Sequence, residues 1–144
     1  MRRINLQEVA PEGFEHVRRL EGYIQRRLDK KLLFLVKLRA SFINGCAYCV
    51  DMHSQHAIEA GESTRRLFAV ATWREVDLFD ERERAALALT DSVTRLGEGG
   101  VPDDVWDTAA KVYTEEELAD LLLAIVTINM WNRIAIPSRN PLPA

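Results

Sequence analysis

Apolar residues recur every three or four positions along almost the whole of this chain, and nowhere do they alternate one by one over a sustained run. The first pattern lays a stripe along a helix; the second would mark one face of a strand. Val17, Leu20, Ile24 and Leu28 form one stripe, and Leu35, Leu38 and Phe42 another. The single Asn-Gly, Asn44-Gly45, lies between two helical patterns instead of two β-branched runs, so it does not mark a hairpin. Such a chain must bury its apolar surface helix against helix, in an all-α fold.

Punctuation along the chain places the helices. Asp80 with Glu83, and Thr114 with Glu117, have the spacing of capping boxes. Pro102 suits a first helical position, and Asp103 and Asp104 follow it where the helix dipole favours negative charge. Gly61 and Gly97 suit helix stops. These signals predict about seven helices, over 11–28, 30–43, 46–60, 63–73, 80–96, 102–112 and 115–135. With no internal repeat or linker, they predict one compact domain over 1–144, whose part of about 30–60 holds both cysteines. The last helix is apolar most of the way round, from Leu118 through Ile125 to Met130. That suits a central helix or a subunit interface, and an oligomer assembled through helix packing is expected.

Charge narrows the function. Nineteen basic and 22 acidic side chains leave a net charge of −3, no footprint for nucleic acid or anionic lipid. The arginine pairs at 18 and 19, 26 and 27, and 65 and 66 read as solvated helix faces. No apolar run follows Met1-Arg2-Arg3, so no signal peptide is expected. The one long apolar stretch, Leu118 to Ile136, carries Asp120, Asn129, Asn132 and Arg133, too many costly groups for a membrane span. A cytoplasmic protein is expected. In a reducing compartment a close cysteine pair points to redox or metal chemistry more than to a structural staple.

That pair is Cys46 and Cys49, followed by His53. Steps of three and four residues put all three on one helix face, with Ala57 continuing the stripe. Thiols in a first turn gain from the dipole and free N–H groups, which stabilise a thiolate. His53, one turn beyond Cys49, is placed to take its proton. The dipole favours Cys46 as the attacking thiol; contact with the base favours Cys49, which we take as the nucleophile with Cys46 resolving. A zinc site is the alternative, since Cys46, Cys49, His53 and His56 would supply four ligands, but zinc knuckles set their ligands on two elements and here all lie on one. Two inert core cysteines are a further alternative. His16, His56 and Asp51 read as surface groups, and Trp73 and Trp106 as core or interface anchors.

The block Leu35-Val-Lys-Leu-Arg-Ala-Ser-Phe-Ile-Asn-Gly-Cys-Ala-Tyr-Cys-Val-Asp-Met-His53 resembles the core of the alkyl hydroperoxidase D (AhpD) family, within the carboxymuconolactone decarboxylase superfamily. Ala60-Gly-Glu62, Trp73-Arg-Glu75, Asp80 to Leu87 and Ile128 to Ala135 extend the likeness over most of the chain. The resemblance implies an all-α fold assembling as a homotrimer or homohexamer. It also implies a peroxidase cycle on a hydroperoxide substrate, with Cys49 attacking the O–O bond, Cys46 closing the disulfide and His53 in the proton relay. A dithiol- or lipoyl-bearing partner protein would reduce the disulfide, with no metal or other cofactor.

Two positions depart from the family pattern. The relay usually includes a Glu twelve residues before the first cysteine, where this chain has Phe34; a position commonly Gln is here Phe42. Phenyl rings carry no proton and desolvate their surroundings, raising thiol pKa values and lowering that of His53. Glu21 is the candidate for a replacement carboxylate. Asn132 and Arg133 read chiefly as packing and hydrogen-bonding groups. Three functions follow: a peroxide-reducing or dithiol–disulfide oxidoreductase; a lactone decarboxylase, a branch that generally lacks the cysteine pair; and a non-enzymatic redox-sensing or metal-binding oligomer.

Overall fold

A computed structural model describes residues 1–144. The chain is all-helical: α1 Leu6–Val9, α2 Pro11–Arg27, α3 Lys30–Asn44, α4 Ala47–Glu59, α5 Thr64–Ala69, a 3-10 stretch Val70–Glu75, α6 Glu81–Thr94, α7 Asp103–Val112 and α8 Glu115–Ser138. Both expected capping boxes form, at Asp80–Glu83 and Thr114–Glu117. Several details differ from the sequence expectation: Pro102 is the N-cap of α7 and not its first residue, and α6 ends at Thr94. The four-residue α1 is additional, and its lack of any buried residue explains why no apolar stripe announced it. The segment 63–73 splits, because Thr72 leaves helical geometry (φ −128°, ψ 36°). The last helix runs on through Pro137 to Ser138, with Arg139 capping it in the left-handed region; Pro137 has no N–H to donate, so one rung of the ladder is missing there.

The core forms around α3, which packs against α4, α6 and α8. Val36 and Ala40 of α3 meet Leu89 of α6 and Leu121, Ile125 and Ile128 of α8, all fully buried. Burying such a side chain contributes about 1.5–3 kcal/mol each. Leu35 and Leu38 turn instead to Leu67, Val70, Trp73 and Leu87. With Leu35, Val36 and Leu38 all at zero exposure, α3 is covered on nearly every side. Helix α8 is central as expected, touching α2, α3, α4, α6 and α7. It is long and apolar enough to cross a membrane by length and composition, but in the fold it is a core helix. Leu123, Val126 and Ile136 remain on its open side.

Not every arginine is a solvated surface group. Arg66 binds Glu62 (3.0 Å), Glu83 and the Leu78 carbonyl, tying α5 to α6, and Arg27 donates to Asp120 on α8 (3.0 Å). Deeper still, Arg39 of α3 grips Asp91 of α6 through Nε (2.6 Å) and Nη2 (3.2 Å).

Candidate active site

The turn between α3 and α4 sets the thiols in place. Gly45 caps α3 in the left-handed region (φ 68°), where a side chain would cost about 1–2 kcal/mol. The chain then reverses, and the Cys46 N–H donates back to the Ser41 carbonyl (3.0 Å). Cys46 itself is the extended N-cap residue of α4 (φ −87°, ψ 94°), a step earlier than the first-turn position expected. Cys49 lies in the first turn and His53 one turn further on. All three are buried and both cysteines are free.

The cysteines behave as one acid–base unit. Cys46 is lowered to about 6, first by the Cys49 thiol acting as a donor to its thiolate. The peptide N–H groups of Cys49 and Tyr48 and the Asn132 side chain add to this, while burial opposes it. Cys49 is pushed far up, by its hydrogen bond to Cys46, by burial and by the charge of the Cys46 thiolate; Asn132 and Lys37 work the other way. Near neutral pH the pair therefore keeps one proton between two sulfurs, the Cys46 side being the better anion. His53 is lowered to about 3, first by burial and then by the charges of Lys37 and His56, so its imidazole is neutral. Its Nε2 is buried with no hydrogen-bond partner.

Cys49 and His53 open onto a cavity of about 1020 Å³ between α2, α3, α4 and α8, whereas Cys46 does not line it. Phe34, Tyr48, Trp131 and Phe14 form aromatic walls, with Phe14 and Trp131 edge to face at 5.5 Å. Phe34 thus borders the site, where the resemblance would put a carboxylate. Phe42 does not border it: with Leu38, Leu67 and Phe68 it lines a separate hollow of about 170 Å³. Glu21 of α2 does line the main cavity, paired with Lys37 of α3.

Other expectations sort out by position. Asn132, read as a packing residue, donates to Ser41 Oγ (3.1 Å), accepts from Asn44 (2.9 Å) and favours the thiolate of either cysteine. Arg133 stays outside, donating to Asn129 (2.7 Å). His56 is exposed, its ring 6.4 Å from that of His53. His16 is exposed and Asp51 half-buried; Trp73 is buried and Trp106 partly exposed. No three or more His, Cys, Asp or Glu side chains are arranged to hold a metal ion, so the zinc alternative finds no ligand set. Lys37 was missed. The available signal was a lone charge inside Leu32-Leu-Phe-Leu-Val-Lys-Leu38, which obliges a buried ammonium to find a partner.

Comparison with known proteins gives a consistent relationship. Residues 10–92 match the model of the carboxymuconolactone decarboxylase family. The uncharacterized protein YdfG of Bacillus subtilis is 37% identical over 139 residues, 96% of this chain and 95% of that one. A crystal structure of a protein of unknown function from Agrobacterium tumefaciens, for which an antioxidant-defence role as AhpD has been suggested, superposes with a TM-score of 0.96 at 41% identity. That match covers 100% of this chain and 99% of the other. The debrominase Bmp8 shares the fold, with a TM-score of 0.76 at 23% identity over 87% of this chain and 68% of its own.

Proposed function

The chain belongs to the carboxymuconolactone decarboxylase family, and we propose that within it this protein is a thiol-dependent peroxidase that reduces alkyl hydroperoxides through the Cys46–Cys49 dithiol. The family and the antioxidant-defence role suggested for the Agrobacterium protein support peroxide-related chemistry. The observation that carries the finer reading is the division of labour between the sulfurs: Cys49 faces the cavity, and Cys46 lies behind it in the environment that best holds a negative charge. The lactone-decarboxylase reading has no comparable support, since one thiol, Cys49, lines the cavity and the second, Cys46, lies behind it.

The cycle starts from the singly protonated pair. The proton passes from Cys49 to the Cys46 thiolate, leaving Cys49 as the anion at the cavity wall. Cys49 Sγ attacks the terminal peroxide oxygen; an S–O bond forms, the O–O bond breaks, and the departing alkoxide takes up a proton to become the alcohol. Cys49 is now a sulfenic acid. Cys46 gives up the proton it took and attacks Cys49 Sγ as thiolate; the S–S bond forms, the S–O bond breaks, and the hydroxide leaves as water with that proton. Two electrons have moved from two thiols to one peroxide. His53, neutral at the cavity wall, acts as a hydrogen-bonding group for the bound oxygen atoms and passes protons only in concert with a neighbour. A small dithiol or a lipoyl-bearing protein reopens the disulfide. The same reading places the protein in a reducing compartment such as the cytoplasm. The apolar Leu123, Val126 and Ile136 of α8 and Phe68 of α5 support self-association of this chain into a trimer or hexamer.

Intact-mass and free-thiol counting tests the reading directly, on reduced protein before and after one equivalent of tert-butyl hydroperoxide. Loss of two hydrogens and two thiols in the wild type, and not in Cys49→Ser, is the expected result. Both thiols surviving a large excess would sink the peroxidase reading.

A further inference from the structure

The cycle leaves one proton without a donor. The alkoxide departs into the cavity, which Cys46 does not line, and His53 is neutral there. Lys37 and Glu21 do line it, as Cys49 does. Lys37 Nζ donates to Glu21 Oε1, with the two side chains only 4% and 15% exposed. An ammonium has three N–H groups, and this is the single hydrogen bond that Lys37 Nζ makes. Glu21 Oε2 is likewise buried and has no partner at all. Free donors and a free acceptor thus sit side by side at a cavity wall, unlike Glu62, whose Oε2 also lacks a partner but lies away from the cavity in the Arg66 pair.

We propose that the Glu21–Lys37 pair is the hydroperoxide-binding and acid group of this site: Glu21 Oε2 accepts the peroxide O–H, and Lys37 Nζ donates to the alkyl-bearing oxygen and protonates it as the O–O bond breaks. The proposal rests on the peroxidase reading above. A terminal hydroperoxide presents a donor on one oxygen and an acceptor on the next, the complement of the pair. Its alkyl group then points along the aromatic walls of Phe34 and Trp131. In the balanced step, Cys49 S⁻ with R–O–O–H and Lys37 –NH3⁺ gives Cys49 S–OH, R–OH and Lys37 –NH2. The amine regains its proton from solvent through the open side of the cavity. Charge from Lys37 already reaches Cys49 and His53, which sets the three groups within electrostatic range of one another.

Leaving-group dependence tests this. An alkyl hydroperoxide expels an alkoxide that must be protonated, whereas peracetic acid expels acetate, which needs no proton. Rates of Cys49 oxidation by tert-butyl hydroperoxide and by peracetic acid are compared in wild type, Lys37→Met, Lys37→Arg and Glu21→Gln/Lys37→Met. The expected result is a loss of about 100-fold for the alkyl hydroperoxide in both Met variants, in line with removing one positioned donor, a far smaller loss for the peracid, and partial rescue by Arg. The double variant removes both charges, so it reads the same ratio if a lone buried carboxylate unfolds the single one. Equal losses for the two oxidants, or none for either, overturn the proposal and leave the peroxidase reading standing. A wild type inert to the alkyl hydroperoxide overturns both.

Discussion

Two buried ion pairs leave α3 on opposite sides and differ in what surrounds them. Asp91 receives Arg39 Nε and Nη2, Trp73 Nε1 (3.2 Å) and Arg74, while Arg39 Nη1 goes on to the Ala71 carbonyl (2.9 Å). No buried side-chain donor or acceptor atom in that cluster is left without a partner. Glu21 and Lys37 have each other and nothing more, with Oε2 and the His53 Nε2 left over at a cavity wall. Both clusters bear the cost of desolvating charge. Saturation makes the first a clamp between α3, α6 and the 3-10 stretch. Incompleteness makes the second a place for something that comes and goes. The same helix thus carries a fastener and a working site, Lys37 and Arg39 being only two residues apart.

The contrast can be broken most sharply at the thiols. Cys49→Ser should abolish hydroperoxide-driven disulfide formation completely while moving the urea midpoint little, because a hydroxyl nearly matches the thiol in size. The opposite separation is expected at the clamp. Asp91→Ala leaves Arg39 buried and unpaired, which typically costs about 3–5 kcal/mol, visible as a drop in urea midpoint. The folded fraction should still lose two thiols to peroxide at the wild-type rate. A clamp variant that stays stable but loses reactivity would mean the two clusters are coupled through α3.

Acid offers a gentler perturbation. His53 titrates near 6.5 when unfolded and at about 3 in place, lowered first by burial. Between those values the unfolded chain binds more protons, so stability falls as pH drops from about 6.5 towards 3. Cys46, lowered to about 6, adds a loss over the window from about 8.5 down to 6, because there the folded pair has already released a proton that unfolded thiols keep. Unfolding free energy measured across this range should therefore decline on acidification in two stages. His53→Phe should flatten the lower stage and leave the upper one; a decline unchanged in that variant would show that His53 is not what acid attacks.

How much of this was legible in the sequence depends on the range of the interaction. Capping boxes are local, so Asp80–Glu83 and Thr114–Glu117 could be read off three-residue spacing and both formed. The turn at Gly45 and the shared face of Cys46, Cys49 and His53 are local too. Clusters joining distant elements were not legible: Arg39 and Asp91 lie 52 positions apart, and Arg66 and Glu83 lie 17. Nothing in one stretch of chain says which charge another will meet. Glu21 sits between these cases. A missing carboxylate at Phe34 could be noticed, and Glu21 named as a candidate, but only packing of α2 on α8 and α3 brings it to the cavity. The kink at Thr72 had no proline or glycine to announce it, and the Arg39 side chain that binds the neighbouring Ala71 carbonyl comes from a distant helix.

The smallest expected effect concerns the two capping boxes, and it sharpens the comparison by testing how far each cluster feels the end of its own helix. Removing either cap as Thr114→Ala or Asp80→Ala should cost about 1 kcal/mol of stability. Asp91 lies ten residues beyond Glu81 on α6, and Asn132 lies seventeen beyond Glu115 on α8. Fraying from a lost cap is confined to about the first turn, so neither cluster should be disturbed. The pH at which iodoacetamide alkylation of the thiols reaches half its maximal rate reads Asn132 indirectly, because its amide favours both thiolates. That midpoint should stay near 6 in Thr114→Ala even as the urea midpoint falls. A midpoint that rises with loss of the cap would mean that α8 shifts as a rigid rod, carrying Asn132 away from the sulfurs, and that the site depends on the whole helix, not only on the turn that faces it.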